Sequence, residues 1–287
     1  MNSVNEKIPK IPPFTHGFVD PYHIELFSST KIEKFITIVD HLKNHWIKRP
    51  LGLDATTVKL ESKLQEKVPN LICKIYEQTL GQSVSYGDAF LLHEDKSSNL
   101  LMQENLSEIY CSLLKKLSFY LKTEHIHYRQ DCFLPFIRII SGQEMVDPAV
   151  SKIVKNFAPV PHYDDVWRSI KWPDGTCFNN TLSFTLALKM PRKGHGILVS
   201  NIARDPISGK LRYLNSIVSN VSTEEVVNPS IKPIFTYHRY RPGQLILHSG
   251  HEFHCIAPFN NLEVDDIRMT MQGWCVWVPS QGWQIFG

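Results

Sequence analysis

No two cysteines in this sequence form a CxxC pair. The six present, Cys73, Cys111, Cys132, Cys177, Cys255 and Cys275, are widely spread, which argues against a disulfide scaffold and a thiolate zinc site. An excess of charge of one sign is also missing. The 31 basic residues face 28 acidic ones, and the net +3 is scattered, so there is no electrostatic case for a nucleic-acid partner. No run approaches the ~20 apolar residues that span a bilayer, so no membrane partner is expected. The opening MNSVNEKIPKIPPF has no apolar stretch able to act as a signal peptide. The expectation is a soluble, cytoplasmic protein. No fixed-period repeat or composition break divides residues 1–287, so a single domain is expected. The sequence is silent on oligomeric state.

What is present changes character along the chain. The first 30 or so residues are Pro-rich and are expected to drape over the surface. TKIEKFITIVDHLKNHW then spaces Ile32, Phe35, Ile36, Val39, Leu42 and Trp46 as a helix does, with Thr30 and Glu33 fitting a capping box. A second helical stretch is expected from about Val58 to Leu80, broken at Pro69 and ended by Gly81. A third, ENLSEIYCSLLKKLSFYL, puts Leu106, Ile109, Tyr110, Leu113, Leu114 and Leu117 on one face. From Ile126 onward the pattern is strand-like. NTLSFTLALKM alternates, with Leu182, Phe184, Leu186 and Leu188 on one face and Ser183, Thr185 and Ala187 on the other. GILVSNIARDPISGKLRYL reads as a hairpin turning at Asp205 to Gly209. CFLPFIRIISG, IFTYHRY, GQLILHS and IRMTMQGWCVWV complete the set. Helices in 1–125 followed by about eight strands in 126–287 predict an α+β protein, its helices buttressing a closed or nearly closed antiparallel barrel.

One short motif carries chemistry. In HYDD, His162 and Asp164 are two residues apart, and on a strand such residues point to the same side. An imidazole and a carboxylate would then converge as two-thirds of the facial triad that holds a non-haem Fe(II) and leaves positions open. The motif alone is weak, because His-x-Asp recurs at His93 to Asp95. That second copy sits in FLLHEDKSSN, a polar stretch with no strand pattern, and reads as a surface loop. HYDD instead follows the extended-favouring prolines of APVP and precedes the NTLSFTLALKM strand.

The ordered set of motifs resembles the Fe(II)/2-oxoglutarate-dependent oxygenase superfamily over roughly Phe133 to Val278. HYD stands as its HxD motif and GHGIL as the glycine turn before the fourth core strand. PGQLIL stands as the turn and strand ahead of the distal histidine, HCIAP as the distal histidine strand and RMT as the arginine motif. The resemblance implies a double-stranded β-helix (jelly-roll) core. It implies Fe(II) as cofactor, 2-oxoglutarate as cosubstrate, and release of succinate and CO2 as an unactivated C–H bond of a small molecule is oxidised. The segment Gly142 to His162 is longer than the connection the family has there.

Three histidines compete for the third metal position. His248 ends GQLILH, His251 follows the Ser249-Gly250 turn, and His254 begins the apolar-Pro strand before which the family places its ligand. His254 is the choice, with His251 second. A zinc site built on His251 and Cys255 is poorer, since HEFH lacks one residue of the HExxH spacing. In IRMTMQGW, Arg268, Thr270 and Gln272 share one face. The resemblance assigns Arg268 to the distal carboxylate of 2-oxoglutarate, with Thr270 beside it; a surface strand with an arginine ion pair is the alternative. Arg138 is a candidate to touch substrate or the oxoglutarate, with a surface ion pair as an equal alternative; Trp167 and Trp172 are candidates for a substrate wall, with simple packing the favoured reading. Trp274, Trp277 and Trp283 read as packing residues, and His125 and His127 as structural or exposed. The resemblance implies that Asp164 fits hydroxylation, with desaturation and ring formation as alternatives, since halogenases of the family lack this carboxylate. Two other readings stay open: a peptide or protein hydroxylase of the same superfamily, and a cupin-like or non-catalytic metal-binding barrel. Succinate release separates the last of these.

Overall fold

The alternation in CFNNTLSFTLALK builds a 13-residue strand. The computed structural model describes residues 21–50, 76–80, 97–141, 162–164, 166–192, 196–204, 211–213, 234–257, 263 and 265–287. In chain order the strands are β1 (Tyr22–Glu25), β2 (Ile47–Pro50), β3 (Tyr76–Leu80), β4 (Ile126–Tyr128), β5 (Phe136–Ser141), β6 (Cys177–Lys189), β7 (Gly196–Arg204), β8 (Leu211–Tyr213), β9 (Phe235–Arg239), β10 (Gln244–Ser249), β11 (Glu252–Ile256), β12 (Ile267–Val278) and β13 (Gly282–Phe286). The long helices are α1 (Ser29–His41) and α2 (Ser97–Tyr120). A large sheet runs β1-β10-β6-β12-β5-β3-β2, with β13 beside β12 and β4 beside β13. A small sheet runs β11-β7-β8, with β9 also on β7. Every strand pairing is antiparallel except β13 with β4. The described residues are thus β-rich with few helices.

Period-two alternation gives the large sheet two unlike faces. On the outer face Phe184, Leu186, Leu188, Met269, Met271 and Trp277 join Ile32, Phe35 and Val39 of α1 and Leu106, Ile109, Leu113 and Leu117 of α2 in one core. Each large side chain buried there stabilises the fold by about 1.5–3 kcal/mol. On the inner face Ala187 and Ile246 meet Ile197 and Val199 of β7, so the two sheets face each other. The PGQLIL turn enters β10 through Gly243, whose φ of +86° suits a residue without Cβ. A Cβ there would lie 2.2 Å from the Phe27 carbonyl oxygen.

Several expectations are corrected. Tyr22–Glu25 is not draped over the surface but pairs with β10 as an edge strand; residues 1–20 lie outside the described residues. The end of the expected second helix, Tyr76–Leu80, is a strand held between β2 and β5, where sheet hydrogen bonds override local propensity. Residues 58–75 of that stretch, the Asp205 to Gly209 turn and His93 to Asp95 lie outside the described residues. The strands flanking that turn do pair, Arg204 opposite Leu211. Helix α1 starts at Ser29 with Ser28 as N-cap and no side-chain cap bond, so the Thr30–Glu33 box does not form. Helix α2 begins before Glu104, and it kinks at Leu106. There the Asn105 amide donates to the Leu101 carbonyl four residues back and competes with the helical ladder. Strands β4 and β13 were not anticipated, which makes ten from Ile126 onward among the described residues. Among these residues no helix is long and apolar enough to cross a membrane.

Candidate metal centre

HYD runs extended along β11, and a single rung joins them. His162 N–H donates to the His254 carbonyl at 2.9 Å, and His254 N–H returns the bond to His162 at 2.8 Å. The next contact is Asp164 N–H to the Gly250 carbonyl at 2.9 Å. Alternation then sorts the side chains. Tyr163 turns away onto Phe253, ring centroids 5.4 Å apart, while His162, Asp164 and His254 turn inward. One ligand-type atom from each of these three lies within 4.8 Å of the others. Strands β6 and β10 of the large sheet form the opposite wall, with His248 directly across from Ser183.

Hydrogen bonds fix the orientation of each group. The His254 Nδ1 lies 2.8 Å from the Glu252 carbonyl oxygen. A carbonyl can only accept, so Nδ1 carries the proton and Nε2 keeps its lone pair. That Nε2 is 3.4 Å from Asp164 Oδ2. The Ser183 hydroxyl donates to the same Oδ2 at 2.5 Å, and the Trp167 indole donates to the Asp164 carbonyl at 3.2 Å. Burial alone would raise the Asp164 carboxyl, but His254, His162, His248 and Ser183 outweigh it and hold the group below its ordinary value. Burial pushes His254 down to about 3 and lowers His248 as well. Neutral imidazoles beside an ionised carboxylate are the protonation states a divalent cation requires.

The other histidines separate by their partners. His251 Nε2 lies 2.5 Å from the Phe178 carbonyl oxygen and 3.0 Å from Thr181 Oγ1, so that nitrogen is a donor turned away from the cluster. His248 does face the centre, its ring centroid 4.5 Å from that of His254. His127 is exposed on β4.

A cavity opens beside the three residues, with Arg138, Thr185, Tyr240, His248, Gln272 and Trp274 among its lining. Arg268 and Thr270 share the inner face of β12, fully buried, with Arg268 Nη1 3.3 Å from Thr270 Oγ1. This excludes the alternative of a surface strand. Arg268 stands over the Tyr240 ring at 5.5 Å, and Tyr240 is the neighbour that reaches the cavity wall. Burial raises the Tyr240 phenol; the charges of Arg268 and Arg138 and hydrogen bonds from Thr185 and Arg268 pull the other way. Arg138 sits opposite Thr270 on β5. Trp167 does not line the cavity. It stacks on Phe178 at 4.6 Å in a satellite apolar cluster with Val166, Ile170 and Phe286. Trp274, expected only to pack, is at the wall; Trp277 and Trp283 are in the core. Sequence reasoning did not single out Tyr240, Ser183 or Thr185 as site residues, and it weighed His248 only as a metal ligand. The signal for Ser183 and Thr185 was their place on the polar face of an alternating strand.

No family model and no curated protein matches the sequence. Solved structures do resemble the fold loosely. An N-substituted L-amino acid dioxygenase from Burkholderia ambifaria is 13% identical, with 96% of this chain and 100% of that one covered and a TM-score of 0.40. The alpha-ketoglutarate-dependent epimerase SnoN of nogalamycin biosynthesis is 11% identical over 88% and 85% of the chains, TM-score 0.34. A prolyl-4-hydroxylase from Pseudomonas putida is 14% identical over 84% and 97%, TM-score 0.26. Superpositions this loose carry no argument about the chemistry of this chain, which rests on its own residues.

Proposed function

We propose that the chain is a non-haem Fe(II)- and 2-oxoglutarate-dependent oxygenase that hydroxylates an unactivated C–H bond of a small molecule. Its core is read as a double-stranded β-helix whose walls are the two sheets. One observation carries this reading: two imidazoles and one carboxylate converge within 4.8 Å beside the cavity between the sheets. The donor set fits a ferrous ion, since two histidines and one carboxylate on one face leave the remaining positions open. His162, Asp164 and His254 are assigned as the ligands. When bound, the ferrous ion would activate O2 with 2-oxoglutarate as the two-electron reductant, one oxygen atom ending in succinate as CO2 leaves and the other in the hydroxylated product.

The protein's own groups hold and orient. The Glu252 carbonyl keeps His254 Nε2 unprotonated, and Ser183 fixes one oxygen of Asp164; such outer partners set ligand orientation. Arg268 and Thr270 are assigned to the distal carboxylate of 2-oxoglutarate, because a guanidinium offers that group paired donors. Arg138 is assigned to the substrate, from its place on the cavity wall. Trp167, assigned no substrate contact, stiffens the backbone carrying Asp164. Ile197 and Ile256 on the opposite wall exclude water from the reacting centre.

The test is incubation of anaerobically prepared protein with Fe(II), 2-oxoglutarate and a metabolite library, followed by admission of air. The expected outcome is succinate release with a product one oxygen atom heavier than its substrate. Succinate with a peptide substrate alone would move the reading to a peptide hydroxylase; no succinate and no iron uptake would end it.

A further inference from the structure

The assigned ligand set leaves one inward-facing imidazole unused. His248 lies on β10 opposite Ser183, on the face that looks into the cavity. It is only 2% exposed, and its ring touches that of His254 at a centroid distance of 4.5 Å and an angle of 60°. It does not belong to the group of atoms that converge within 4.8 Å. Its Nδ1 is 3.0 Å from the Ser249 carbonyl oxygen. That oxygen can only accept, so Nδ1 bears the single proton of the neutral ring and Nε2 is an acceptor. With Nδ1 tied to the main chain, Nε2 is the nitrogen left for the cavity.

We propose that His248 is a specificity residue that accepts a hydrogen bond from an O–H or N–H group held in the cavity beside the His162, Asp164 and His254 cluster. This deepens the proposed function by naming a feature of its ligand: the molecule bound there carries a hydroxyl or amine close to the oxidised carbon. The walls support the choice. Arg138 is a donor and cannot accept, and Asp164 Oδ2 already accepts from the Ser183 hydroxyl. A buried acceptor facing a ligand without a donor loses its hydrogen bond to water with no replacement, which selects against such ligands.

The experiment uses the full chain and matched probes. Small alcohols are compared with their methyl ethers, and primary amines with their quaternary trimethylammonium counterparts, by the change in midpoint of thermal unfolding against probe concentration, with Mn(II) binding measured on the same samples. Wild type is expected to prefer donor probes by about threefold to tenfold, the range of one neutral hydrogen bond. His248→Phe, which keeps an aromatic ring and removes the acceptor, is expected to lose that preference; His248→Gln, which offers an amide oxygen, is expected to retain part of it. Mn(II) affinity should be unchanged in both variants. A wild type without preference, or a His248→Phe variant that keeps it, overturns the proposal. So does loss of Mn(II) binding in His248→Phe, since it would make the residue a ligand. Water on the metal as the partner would show as faster exchange of metal-bound water in His248→Phe, read by proton relaxation of the Mn(II) form, with no preference among the probes; that result overturns the ligand assignment. Absence of Mn(II) binding in wild type would count against the proposed function alone, because the probe preference is readable without metal.

Discussion

The two faces of β6 and β12 are made by alternate residues of the same strands and do opposite work. Leu186, Met269 and Met271 look outward to the helices, while Arg268 and Thr270 look inward and Ser183 lines the cavity. The outer face is apolar and gains from every group removed from water. The inner face buries hydroxyls and a guanidinium, which are costly inside a protein unless paired. Stability is therefore concentrated on one side of these strands and chemistry on the other, so substitutions on the two sides should fail in different ways.

The largest effect is expected at Asp164, whose carboxylate leans on inner-face Ser183. Asp164→Ala should abolish Fe(II)-dependent succinate release while leaving the unfolding midpoint near that of wild type. Full activity in that variant would remove Asp164 from the ligand set. Its outer-face counterpart is Leu186→Ala, which should cost about 2–5 kcal/mol in urea unfolding yet leave metal affinity of the folded protein unaltered. A loss of metal affinity there would show that the faces are coupled.

How much of this contrast could be read beforehand depended on where the information lay. The alternation of β6 and β12 is local, so their faces, the convergence of His162 with Asp164, and the inward set Arg268, Thr270 and Gln272 were legible. Strand β1 was not, because YHIE buries only Ile24 and owes its conformation to backbone pairing with β10. Tyr76–Leu80 likewise takes its strand form from neighbours on both sides. The choice among His248, His251 and His254 was also non-local. The Phe178 carbonyl and the Thr181 hydroxyl hold His251 away, and the rung to His162 brings His254 in.

A smaller effect is expected from Arg268→Gln. Losing charge-assisted hydrogen bonds of about 1.5–3 kcal/mol should raise the 2-oxoglutarate concentration for half-saturation by roughly tenfold to a hundredfold. An unchanged value in equilibrium binding would shift the role to Arg138. The last effect is confined to acid conditions. Burial lowers the folded-state value of His254 to about 3, below the ordinary 6.5. Between these values the unfolded chain binds the extra proton, so stability should be flat above pH 6.5 and decline steadily as pH falls toward 3. His254→Leu should flatten that decline in urea midpoints taken across the window; an unaltered slope would contradict a buried neutral imidazole.

The rung between His162 and His254 has a consequence for assembly of the site. Both imidazoles hang from residues that exchange backbone hydrogen bonds with each other, so their separation is set by the ladder. A slip of one residue would swing a ring to the far side of the sheet and leave no half-built site behind. Metal uptake should accordingly be all-or-none across a population of molecules, and the loaded fraction should count those in which the HYD segment found its correct partner.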